Sequence, residues 1–370
     1  MRACALASAF PQCRLYEQGY ALENVARRAC RASLLKASCS GQLEAGADHT
    51  PVSTPTTRTG EDNNVVVDLS QSTPKGTTLG LEGKMVLPSE RVEQLKEEFG
   101  MTADELITAL ITPASTMARP PISSFKVGAV GIGGSGALYV GCNLEFAKLP
   151  LYNSVHAEQF LLVNALHHGE ESIEKLAISA APCGHCRQFF SELDCADRIK
   201  FLFFGGSYSL GQLLPMRFKP QDLLDVGSVP LLLKPQDNRV AFTAASLAQI
   251  QEWEELGERK LVKAAGEALE ECRKSYAPYS LCPAGAAIVT QEGVYAGGYI
   301  ESAAYNPSML PLQSAIIDAV IDGMPCYSEV EAAVLVEVAS GAVQHRSAMA
   351  VQLNAIAPQA QLYTLTVERM

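Results

Sequence analysis

The sequence predicts an α/β layered fold built twice in one chain, on three observations. Short apolar runs at 125–130, 138–142, 176–180 and 201–204 read as strands. Helical periodicity at 156–168 and 183–193 fills the gaps between them. Helices crossing between short apolar strands make α/β layers. The third observation is an internal repeat. Gly128-Ala129 is echoed by Gly285-Ala286, Tyr139-Val140-Gly141 by Tyr295-Ala296-Gly297, and Glu145 by Glu301, at an offset of 156 to 157 residues.

The elements follow in order. Ser89 is placed to cap a helix through Val92, Leu95 and Phe99. Thr102 and Glu105 have capping-box spacing ahead of Leu106, Ile107, Leu110 and Ile111. Pro113, Pro120 and Pro121 interrupt that run. The Gly-rich turn at 133–136 joins two strands into a hairpin. It is not a phosphate loop, because no Lys-Ser/Thr follows and no helix opens there. Residues 206–245 carry four prolines and read as an irregular connection. Near Ser246 one long helix begins, running through Ile250, Trp253, Leu256, Leu261, Ala264 and Leu269, with Trp253 as core. The expected domains are therefore 83–240 and 246–370.

Bulk composition narrows the function. The 370 residues are 48% hydrophobic and 19% charged, enough for two packed cores. The net charge of -11 repels phosphate backbones, so no nucleic-acid partner is expected. Eleven scattered cysteines do not read as a secreted disulfide framework. No apolar run of ~18 residues appears, so no membrane span is expected. Residues 1–45 are Ala-, Ser- and Arg-rich with few acids, as in a transit peptide or an unstructured tail. Residues 46–82 read as a Thr/Pro-rich linker, giving an unstructured extension over 1–82. The expected compartment is the cytoplasm, or a plastid or mitochondrion if the extension is a transit peptide.

The chemistry concentrates in His156-Ala157-Glu158 and Pro182-Cys183-Gly184-His185-Cys186. Two cysteines three apart on a helix share a face, and a helix start favours their thiolates. A Cys-x-x-C pair alone fits a redox couple as well as a metal site. With His156 as a third ligand and Glu158 beside it, the pattern is that of a zinc deaminase. Three ligands leave a position open for water, as in catalytic zinc sites, whereas a zinc-stabilised binding module would close with a fourth. His185 reads as a surface or supporting group, and His167 and His168 as solvated. The second copy has Leu312, Gln313 and Ser314 where His156, Ala157 and Glu158 are expected to fall, and no Pro-Cys-x-x-Cys follows.

With these motifs, Phe125-Lys126-Val127-Gly128-Ala129 and Asn143-Leu144-Glu145-Phe146, the chain from about 85 to 370 resembles the two-domain, homodimeric branch of the cytidine deaminase family. The segment before Met85 resembles a plant or algal extension. The resemblance implies a three-layer α/β/α domain, duplicated, with the second copy catalytically degenerate. It implies one zinc per subunit on His156, Cys183 and Cys186, with Glu158 as proton shuttle. Asn143 and Glu145 are implied to hold the ribose hydroxyls, Phe125 to pack on the pyrimidine, and the Ala157 and Cys183 backbones to read the base. The implied reaction is hydrolytic deamination of cytidine and deoxycytidine to uridine and deoxyuridine plus ammonia, a step of pyrimidine salvage. The alternative is the same chemistry on cytosine in a nucleotide or polynucleotide. The segment 302–307 resembles a loop that reaches a partner subunit's pocket.

Overall fold

The computed structural model describes residues 79–225, 227 and 230–370. The expected transit-like segment and nearly all of the linker lie outside these residues. Leu81, two residues before the expected domain start, is packed into the core.

Two sheets carry the described chain. The first has the order β1-β3-β2-β4-β5-β6, from β1 (Val86–Leu87), β2 (Gly128–Gly133), β3 (Leu138–Cys142), β4 (Ile173–Ile178), β5 (Lys200–Phe203) and β6 (Gly206–Ser209). The second has the order β7-β11-β10-β8-β9, from β7 (Val240–Phe242), β8 (Ala284–Val289), β9 (Val294–Gly298), β10 (Ala332–Val338) and β11 (Gln361–Arg369). In both, one hairpin strand pairs antiparallel with a third strand, which pairs parallel with a fourth. The repeat is thus a repeat of topology.

Every residue of β2 and β3 is buried, because helices cover both faces. On one face lie α2 (Ala103–Ala109) and α3 (Ile111–Thr116), with α1 (Ser89–Phe99) packed against α2; on the other lies α4 (Ala157–His167). Gly141 permits the second approach. A Cβ there would overlap the Ala157 carbonyl oxygen and the Leu161 backbone nitrogen of α4. Gly297 does the same in the second copy, where its Cβ would overlap Ser314 and Ala315 of α9 (Pro311–Ile321).

Several boundaries differ from the sequence reading. Ser89 is the first helical residue of α1 rather than its cap; Pro88 holds that position, and Gly100 closes the helix in the left-handed region at φ 64. The Thr102–Glu105 capping box forms. The segment 206–245 is not wholly irregular, since it supplies β6, α6 (Leu210–Leu213) and β7. The expected long helix is two helices, α7 (Ala244–Glu255) and α8 (Arg259–Lys274). Gly257 at φ +77 breaks the run, and Thr243, not Ser246, caps α7. Trp253 is core, as expected.

Helices α4 and α9 pack on one another between the two sheets. That explains why α4 is buried all round from Ala157 to Ala165, rather than only along Phe160, Leu161 and Leu162. Gln159 Oε1 accepts from the His156 backbone N–H (3.3 Å) while its Nε2 donates to the Pro307 carbonyl of the other copy (3.0 Å). Gln313 Oε1 accepts from the Leu310 N–H (2.8 Å) while its Nε2 donates to the Asn153 carbonyl (2.6 Å). This reciprocity corrects the alignment of the copies. Leu310, Pro311 and Leu312 occupy the places of His156, Ala157 and Glu158, so the loop before the helix is shorter in the second copy. No metal ligand is present there on either alignment.

Candidate active site

His156 sits at the N-cap of α4 in extended conformation, and Glu158 lies in that helix's first turn. Cys183 is the N-cap of α5 (Gly184–Phe190), and Cys186 lies within it. The two helix starts face each other. His156 Nδ1 lies 3.3 Å from each sulfur, and the sulfurs are 3.7 Å apart. A tetrahedral zinc with Zn–S near 2.3 Å and Zn–N near 2.0–2.1 Å needs edges of about 3.8 Å and about 3.6 Å. The triangle matches within a few tenths of an ångström. Among the described residues it is the single His/Cys/Asp/Glu group close enough to share an ion.

The electrostatics suit a cation. The Cys183 thiol is drawn down to about 3, first by the hydrogen bond from Cys186 and then by the His156 imidazole. Its partner Cys186 is pushed up by the same bond and by burial. A cation at the centre would favour the thiolate form of both. Glu158 is buried beside Cys186, and burial raises its carboxyl above the usual carboxylate range. A carboxyl raised in this way accepts a proton more readily than an exposed one, as a proton shuttle must.

The structure gives the other expected residues a different setting. Asn143 uses its Oδ1 to accept from the Val127 N–H (2.8 Å) and its Nδ2 to donate to the Phe125 carbonyl (3.0 Å). Glu145 accepts from the Ile122 and Ser123 N–H groups, both at 2.9 Å, and from the Ser123 hydroxyl at 2.5 Å. Both side chains therefore hold the loop at 120–127. The second copy repeats this: Glu301 Oε2 accepts from the Tyr279 and Ser280 N–H groups at 2.8 and 3.1 Å. Phe125 lies before β2 rather than on it, and the residue is 60% exposed.

His185 is exposed at the mouth, as expected of a surface group. His168 is exposed, while His167 is half-buried and its Nε2 meets the Ser314 hydroxyl at 3.3 Å across the α4–α9 contact. The loop after β9 reaches this chain's own site. A cleft at His156 is lined by Tyr152, Gln159 and His185 from the first copy and by Asn306, Ser308 and Met309 from the second. Sequence reasoning missed Gln159 and Glu192, which join the copies around the site. The Gln at equivalent places in both helix starts was the available signal for the first.

Comparison with known proteins agrees with this geometry. Models described as the cytidine and deoxycytidylate deaminase zinc-binding region match residues 101–202 and 210–350. Cytidine deaminase 1 of Arabidopsis thaliana is 39% identical over 292 residues, 75% of this chain and 95% of that protein. Cytidine deaminase of Shewanella amazonensis is 37% identical over 273 residues, 73% of this chain and 86% of that protein. The chain belongs to the cytidine deaminase family. A solved cytidine deaminase from Burkholderia pseudomallei is similar at 33% identity over 32% of this chain and all of that one, with a TM-score of 0.29. The family's zinc-binding region is thus matched in both copies, while only the first holds the His156, Cys183, Cys186 triad.

Proposed function

We propose that the chain hydrolytically deaminates cytidine and deoxycytidine to uridine and deoxyuridine with release of ammonia. One observation carries the reading: a three-ligand triad and the buried Glu158 carboxyl stand at the starts of two facing helices. When bound by His156, Cys183 and Cys186, zinc supplies the Lewis acidity that makes water a nucleophile at neutral pH. Glu158 takes one proton from the attacking water and delivers it to pyrimidine N3 as the water oxygen bonds to C4. It then takes the second proton from the new C4 hydroxyl and passes it to the amino group, which leaves as ammonia when the C4–N4 bond breaks. The Ala157 and Cys183 backbones are assigned to the base, and Phe125 to its ring face at the open mouth. Asn143 and Glu145 are assigned to the ribose edge, acting partly through the loop they hold. A carboxylate has about four acceptor sites, and three donors leave one for a hydroxyl.

The proposed domain limits are 83–240 and 246–370, and the proposed assembly is a homodimer with one zinc per subunit. Among the described residues no helix is long and apolar enough to cross a membrane. We assign the chain to the cytoplasm, or to a plastid or mitochondrion if residues 1–82 act as a transit peptide. The substrate class is tested by ammonia release from cytidine, deoxycytidine, cytidine monophosphate and single-stranded DNA side by side. Turnover of the nucleosides is expected to dominate; preference for a phosphorylated substrate would contradict the reading.

A further inference from the structure

We propose that Glu192 is a positioning residue through which the second, metal-free copy sets the geometry of the zinc ligands in the first. The proposal rests on the zinc-site reading above. Glu192 is completely buried, two residues beyond the helix that holds Cys186. Its carboxylate meets four donors, and all belong to the second copy. Oε2 accepts from the Tyr276 hydroxyl at 3.0 Å and the Tyr279 hydroxyl at 2.5 Å. Oε1 accepts from the Ser302 hydroxyl at 3.1 Å and the Ala303 N–H at 2.7 Å. Its own N–H donates to the Phe189 carbonyl (3.1 Å), which ties the carboxylate to the last turn of α5.

The loop that starts at this carboxylate ends on the other ligand helix. From Ser302 and Ala303 it runs to Pro307, whose carbonyl accepts from Gln159 on α4. Gln159 follows Glu158 directly and bonds the backbone N–H of His156. One loop of the second copy therefore bridges the helix of the two thiols and the helix start of the imidazole and the acid. A buried carboxylate is a poor source of net stability, since an apolar side chain of similar size often does as well. A fully satisfied polar network does fix one geometry. Groups that orient metal ligands usually change metal affinity about 10–100-fold when altered.

The test uses the full chain with zinc bound and with cobalt(II) in its place. Glu192→Gln and Tyr279→Phe are compared with Val367→Ala, a core truncation in the second sheet that touches none of this network. The reads are the rate of zinc transfer to a chelator, the cobalt–thiolate absorption, and KM against kcat for cytidine. Both network variants are expected to release zinc about tenfold faster or more and to shift the cobalt spectrum. Val367→Ala is expected to lower Tm without either change. Wild-type release and spectra in the network variants, or equal changes in Val367→Ala, would overturn the proposal. If Glu192→Gln does not fold, Tyr279→Phe removes a single hydroxyl and decides the matter. Failure of wild-type protein to take up zinc would contradict the metal site itself, whereas normal uptake with unresponsive variants would contradict Glu192 alone.

Discussion

Gln159 and Gln313 carry out the same two tasks on opposite sides of the internal repeat: each caps its own helix with Oε1 and bonds the other copy's loop with Nε2. The two halves are therefore joined as two subunits would be, by the same group used twice. Truncation leaves a buried carbonyl and a helix-start N–H without partners. Gln313→Ala is expected to destabilise the fold by about 2 kcal/mol with zinc content unchanged. Gln159→Ala is expected to lose similar stability and also to weaken zinc retention, because it borders His156. Denaturant unfolding and metal analysis on both variants check the contrast.

The chemistry depends on Glu158 more than the fold does. Glu158→Ala is expected to keep zinc and a near-wild-type Tm while turnover falls roughly 10²–10⁴-fold. Near-normal turnover in zinc-loaded Glu158→Ala would remove the proton shuttle from the account.

Glu145 and Glu301 anchor equivalent loops, but only the first belongs to the copy that holds the triad. Glu145→Gln is expected to raise KM for cytidine and lower kcat. Glu301→Gln is expected to leave both near wild type and to lower Tm by a comparable amount. Steady-state kinetics on the pair separate loop anchoring as such from anchoring in the copy that holds the triad. Equal kinetic effects in the two variants would count against the substrate-side role of Glu145.

Close approach at Gly141 is a requirement of the site, since α4 carries both His156 and Glu158. Gly141→Ala is expected to cost about 1–3 kcal/mol or more, through displacement of that helix start. Chemical unfolding gives the cost, and loss of zinc from protein that remains folded would show that the displacement reaches His156.

The second copy contains a buried histidine outside the His156, Cys183, Cys186 triad. His345 is buried against Tyr299, with its backbone N–H on the Glu337 carboxylate, and burial lowers its pKa from 6.5 to about 4. A depressed folded-state pKa means that the unfolded chain binds the extra proton first. The contribution of His345 is thus fully present above about 6.5 and is lost progressively as pH falls toward 4. The loss is of order 3 kcal/mol across that window. Burial raises the Glu337 carboxyl, which acts in the opposite sense, so the wild-type profile alone does not isolate the histidine. His345→Phe is expected to flatten the stability profile between pH 6.5 and 4, and an unchanged profile would contradict the assignment.

The parts of the fold that were legible in the sequence were those with local chemical causes. Gly133 to Gly136 announced the hairpin turn, Thr102 with Glu105 announced a helix start, and the spacing of Cys183, Cys186 and His156 announced the ligand set. What was not legible depended on distant packing. The all-round burial of α4 follows from a second helix laid against it, and periodicity within α4 carries no trace of that helix. The break at Gly257 needed its backbone angle, because apolar spacing continues on both sides. The ribose role of Asn143 and Glu145 rests on the resemblance, whereas their hydrogen bonds run to a loop some twenty residues earlier, to backbone groups and the Ser123 hydroxyl. The misalignment at Leu310 had the same origin: the strands fix one offset, and a shortened loop changes it before the helix.

The account is tested most directly by measuring ammonia released from cytidine and zinc bound per chain on the same folded preparation. It predicts steady ammonia release with one zinc per chain, abolished by chelation and restored by zinc. A folded chain that holds its zinc and releases no ammonia from cytidine would contradict it.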